Sequence, residues 1–137
     1  MNMKHRTLIL IIFAIFAICP AAKGQNSGYD VFIPIGKYLS CGDVESLGAW
    51  FAPTLEVTIF GDPADCSKNQ AKQILKAFFR TYSPRAFEIT HQAGRENLKY
   101  AIGNLTASGE HLSVTIFVSC PSEGSFQIQQ LKIDRIE

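Results

Sequence analysis

From Val31 the apolar positions recur at helical spacing, with Val31, Phe32, Ile35, Tyr38 and Leu39 on one face. Pro34 is tolerated only in a first turn, so the helix begins near Asp30 or Val31. Gly42 suits its end and Asp43 a new N-cap. Val44, Leu47, Trp50 and Phe51 then line a second short helix, which Pro53 ends. Between Thr54 and Phe60 the period changes to strict alternation, with Leu55, Val57 and Ile59 on one side of a half-buried strand. Gly61 to Cys66 reads as a turn. Ser67 and Gln70 have the spacing of a capping box. The helix they open carries a broad apolar face of Ala71, Ile74, Leu75, Phe78, Phe79 and Tyr82, and Ser83-Pro84 stops it.

Four strand patterns follow. Residues 85–92 place Phe87, Ile89 and His91 in one phase, and 97–105 place Leu98, Tyr100 and Ile102 in one phase. Gly103 inside that run suggests a bulge or bend. Residues 112–120 are apolar almost throughout, with Val114, Ile116 and Val118 opposite Phe117. The last run, 125–136, changes phase between Ile128 and Leu131, which a bulge near Gln129-Gln130 reconciles. Short Gly-bearing links join these four strands as an antiparallel meander. The predicted order is α-α-β-α-β-β-β-β. It is an α+β domain, a curved antiparallel sheet wrapped around a long helix.

The first 24 residues fall outside this pattern. Lys4, His5 and Arg6 precede the uncharged run Leu8–Ile18, and Ala22-Lys23-Gly24 supplies small residues two apart. That order is a signal peptide, with cleavage placed after Gly24 and one domain over 25–137. The apolar run is too short for a bilayer-spanning helix of about 20 residues, so no integral span is expected in the mature chain. Bulky Ile18 before Cys19 argues against a lipoprotein. The expected location is periplasmic or secreted.

Thirteen Lys and Arg face twelve Asp and Glu. Lys4, Arg6 and Lys23 lie in the leader, so the mature domain is slightly acidic, which excludes a nucleic-acid binder driven by net positive charge. Cys41, Cys66 and Cys120 match no metal-ligand spacing, and neither metal nor cofactor is expected. The odd count leaves one disulfide and one thiol, or three thiols.

Particular stretches are familiar. Residues 65–79, Phe87-Glu88-Ile89, Tyr100-Ala101-Ile102-Gly103, Val114-Thr115-Ile116-Phe117-Val118 and Ile128-Gln129-Gln130-Leu131-Lys132-Ile133 resemble, in order, the bacterial domain-of-unknown-function family 4783. The element order is likewise similar to the nuclear-transport-factor-2-like, cystatin-like cone. The resemblance implies export and a bent sheet with a cavity at its open end. It implies no activity and no catalytic residue.

Candidate chemistry is sparse. Enzymes on that cone place a base and an acid inside the cavity, and His91 with Tyr100 is the pair in phase to do so. An isomerase- or dehydratase-like reaction is the alternative they offer, although no carboxylate shares their phase. Trp50 is a candidate for the cavity mouth or a core anchor. Lys68, Lys72, Lys76 and Arg80 form a basic helix stripe suited to an acidic partner, and no acid in that helix relieves their repulsion. Phe60 and Phe117 lie opposite the inward residues of their strands, a candidate homodimer face. Asn104-Leu105-Thr106 matches a glycosylation acceptor but falls within a strand. The leading expectation is an exported, non-catalytic domain. It would bind a small apolar ligand or an envelope protein through the cone cavity or the outer sheet face.

Overall fold

The computed structural model describes residues 28–121 and 125–136. The expected signal peptide, with the cleavage placed after Gly24 and the argument against lipidation at Cys19, lies outside the described residues, as does most of the link after Pro121. A 3-10 turn, Gly28–Val31, precedes α1 (Phe32–Cys41) and the short α2 (Val44–Gly48). Strands β1 (Phe51–Ile59) and β2 (Asp62–Ser67) lead into the long helix α3 (Lys68–Thr81). The chain finishes with β3 (Pro84–Arg95), β4 (Leu98–Ala107), β5 (Glu110–Ser119) and β6 (Gln127–Arg135). No described helix is long and apolar enough to cross a membrane.

The caps form where the residue types demand them. Gly42 ends α1 at φ 72°, and the Asp43 side chain accepts from the Ser46 backbone N–H. Ser67 and Gln70 complete the capping box of α3. The phase change in the last strand is a bulge. Phe117 pairs with Gln130 and Val118 with Ile128, which leaves Gln129 as the extra residue.

All six strands form one curved, unclosed sheet in the order β2-β1-β6-β5-β4-β3. The meander is antiparallel as expected, but β1 runs parallel to β6, so the sheet is mixed. Two differences concern the first half. The second helix stops at Gly48 and Phe51 already begins β1, with Pro53 inside the strand. Pro53 falls where the β1–β6 register slips, between Phe51 and Glu56, so its missing N–H breaks no ladder bond. The expected turn at 61–66 is instead strand β2, returned along β1 by a two-residue loop. Both loop residues, Phe60 (φ 51°) and Gly61 (φ 84°), are left-handed, the mark of a tight hairpin.

Helices pack on one face of the sheet, and that inner face is filled. Ile35, Leu39, Leu47, Leu75, Ile116 and Leu131 are fully buried in it. On β4 the inner phase is mostly small: Ala101, Gly103 and Ala107, with Leu105 among them. Phe87 lies across Gly103 and against Gly36 of α1. A Cβ at position 103 would run into the Phe87 ring and come within 2.8 Å of the Glu88 carbonyl oxygen.

Gly103→Val is therefore expected to destabilise the domain by about 1–3 kcal/mol through overpacking. Phe87→Leu in the same chain should recover part of that loss. Urea denaturation of the two variants checks this, and an unchanged midpoint for Gly103→Val would contradict the close packing.

Candidate functional site

The face opposite the helices is a grid set by strand register. Along it, Tyr100 pairs with Phe117, Ile102 with Thr115, Asn104 with Ser113 and Thr106 with His111. Strand β6 continues the rows with Gln130, Lys132 and Asp134, and β3 adds Glu88 and His91. Most of these side chains are half-buried. The Tyr100 and Phe117 ring centroids lie 5.4 Å apart, and those of His91 and Tyr100 5.6 Å apart. Imidazole Nε2 and the Tyr100 hydroxyl are 3.2 Å apart.

The expected His91–Tyr100 pair thus exists, but outside the cone. Two causes combine. The register of β3 against β4 slips between Ile89 and His91, so Phe87 and Ile89 stay inward while His91 turns outward. On β4 the pattern predicts Leu98, Tyr100 and Ile102 inward, whereas Ala101, Gly103, Leu105 and Ala107 are the buried ones, with Gly103 beneath Phe87. His91 is exposed and Tyr100 half-buried. Among the described residues no carboxylate hydrogen-bonds to either ring, and open solvent denies the pair the desolvation that tunes an acid–base couple.

The other candidates are dispersed. Trp50 is half-buried just before β1, and its backbone carbonyl accepts from Ile128 N–H at 2.6 Å. Phe60 does not share the outer face with Phe117. Its place in the hairpin turn sends its ring onto α3, 5.8 Å from Phe78 and 5.5 Å from Tyr82. The Arg135 guanidinium sits 3.9 Å from the Phe60 ring centroid and donates to the Tyr82 hydroxyl at 2.8 Å.

The basic stripe has an acid that α3 itself does not supply. Glu45, from α2, pairs with Lys72 at 2.9 Å and Lys76 at 2.5 Å, while Lys68 and Arg80 stay exposed. Those two lysines hold the Glu45 carboxyl well below its ordinary range, at about 2. The Ser46 hydroxyl and N–H likewise lower Asp43.

Burial pushes the Cys66 thiol up, away from a reactive thiolate. Its sulfur contacts the carbonyl oxygens of Leu55 and Ala64. Cys41 and Cys66 carry free thiols, the first exposed and the second buried. No group of three potential metal ligands occurs among the described residues.

Sequence reasoning passed over Glu45, set Ile102 on the inner side, and missed the polar cup formed by Glu88, Asn104, Thr106 and His111. The alternation of small residues at 101, 103 and 107 was the available signal for the last two, because it marks the odd positions of β4 as the covered side.

A family model described as domain of unknown function DUF4783 matches residues 32–134. Among solved structures, a DUF4783 protein from Bacteroides uniformis is similar at 20% identity. The match has a TM-score of 0.71 and covers 76% of this chain and 95% of that one. Another from Bacteroides ovatus aligns at 20% identity and TM-score 0.72, covering 77% and 94%. A protein of unknown function with a cystatin-like fold from Nostoc punctiforme aligns at 17% identity and TM-score 0.60, covering 78% and 86%. No curated protein matches the sequence.

The Glu45 clamp gives a pH signature. Its folded-state value of about 2 lies below the ordinary 4.5, so its contribution is complete above about 4.5 and is lost as pH falls towards 2. Glu45→Gln should flatten the acid limb of the stability–pH curve between those values and leave the slope above pH 6 unchanged. Chemical denaturation across the pH series checks this, and an unaltered acid limb would show that the clamp is energetically silent.

Proposed function

We propose that this chain, which belongs to the DUF4783 family, is an exported, non-catalytic protein-binding module that docks its partner on the outer face of the sheet. The observation that carries this reading is the contiguous set of His91, Tyr100, Ile102 and Phe117 on that face, while apolar side chains fill the inner face. An aromatic pair with a hydrophobic flank and polar surroundings has the composition of a docking centre with a wet rim. Tyr and Phe supply large rigid contact area at little entropy cost.

The other readings have less support. A small apolar ligand would need space that Ile35, Leu39, Leu75 and Ile116 occupy. An isomerase- or dehydratase-like role would rest on a His91–Tyr100 pair that stands in water. A role for the basic stripe rests mainly on Lys68 and Arg80, since Glu45 engages the other two. Export rests on the leader sequence, and a second copy of the chain is one partner the face admits.

A photo-crosslinking residue at Thr115 on the outer face, compared with one at Gln73 on α3, tests the reading in producing cells. Discrete adducts are expected at 115 alone, and Phe117→Glu should reduce them at least about tenfold. Sedimentation of the purified protein then separates self-association from a different partner. Equal adducts at both positions, or adducts indifferent to Phe117→Glu, would overturn the proposal.

A further inference from the structure

The aromatic cluster occupies one end of the outer face, and the other end has a different chemistry. Near the β4–β5 turn lies a depression of about 310 Å³ whose lining includes Glu88, Asn104, Thr106 and His111. Strand register sets Glu88 beside Asn104 and Thr106 beside His111, so four polar side chains from three strands meet there. No lysine or arginine contributes to the lining. Lys132, one row away, already pairs with Asp134 at 3.6 Å. The Glu88 carboxylate is exposed, and His111 Nδ1 lies 3.4 Å from Thr106 Oγ1.

Asn104 supplies the decisive detail. Its Oδ1 is buried and accepts no hydrogen bond, the one such side-chain atom among the described residues. Native structures leave few buried acceptors unpaired. Glu88, Thr106, His111 and Asn104 all accept hydrogen bonds, and Glu88 brings the one formal charge. The lining lacks a permanently cationic donor.

This inference rests on the outer-face reading and names the chemistry of its partner. We propose that the depression receives an arginine side chain of the protein docked on the aromatic cluster. A guanidinium offers five N–H donors in a rigid fork and no acceptor. Glu88 takes the charge-assisted bond, and Thr106 and His111 accept from the remaining donors. Tyr100 and Asn104 are four residues apart on one strand, about 13 Å at roughly 3.3 Å per residue. The partner therefore presents an apolar anchor and an arginine at about that separation.

The test uses N-acetyl-L-arginine amide as the probe and N-acetyl-L-citrulline amide as its neutral isostere, each titrated into the isotope-labelled protein and followed by NMR. Saturable shifts are expected at Glu88, Asn104, Thr106 and His111 with the arginine probe, and citrulline should bind about tenfold more weakly. Glu88→Gln should weaken the arginine probe about fivefold without changing the melting temperature. Absence of saturable shifts, or equal binding of citrulline, would overturn the inference. The probe does not touch the aromatic cluster, so Phe117→Glu should leave its binding intact. If the probe fails while Phe117→Glu still removes the Thr115 crosslinks, the arginine site falls and the docking face stands. If the probe binds while the crosslinks ignore Phe117→Glu, the docking face falls.

Discussion

Around Gly103 the inner face of β4 offers almost no side chain, and the neighbouring elements are arranged around that gap. Ala101, Gly103 and Ala107 leave a shallow trough in which the Phe87 ring can lie across Gly103 and beneath Gly36 of α1. Strand alternation then puts the bulky residues beside this gap, Tyr100 and Ile102, on the other side. Tyr100 and Ile102 are outside because the inside was reserved for a ring from the neighbouring strand. The bulge in β3 follows the same logic. It lets Phe87 and Ile89 face the helices and still returns the strand to register with His91 outward.

This explains what could and could not be read from the chain. The capping box at Ser67, the Gly42–Asp43 boundary and the bulge at Gln129 were legible because each depends on residues adjacent in sequence. The family and the cystatin-like architecture were legible for the same reason, as ordered local patterns. The facing of His91 and Tyr100 was not, since it depends on a register slip and on which neighbour fills a trough. Strand β2 was hidden by its composition: Asp62, Pro63 and Asp65 are poor strand formers, held in place by pairing with β1. The left-handed Phe60 that turns the chain between them is costly for a large side chain. Its ring recovers that cost against Phe78, Tyr82 and Arg135.

Charge is handled by long-range partners too. Four cations along α3 would repel at helical spacing, and a single carboxylate from a five-residue helix answers two of them. Glu45 therefore does two tasks at once: it fastens α2 to α3 and tempers the stripe. The outer face carries both signs, with Glu88 and Asp134 on the Asn104 row and Lys132 one row away, paired with Asp134.

The open sheet leaves two edges, β2 and β3, and both are poor templates for another strand. Strand β2 is six residues long and carries Pro63 with two aspartates, while β3 begins at Pro84 and is kinked by its bulge. Neither edge can readily recruit a neighbouring chain into an extended ladder. A crowded population of this protein is thereby protected from fibre growth along its backbone hydrogen bonds, even though it exposes a sticky patch. Contact through the patch is self-limiting, because one occupied face presents no fresh copy of itself to the next molecule.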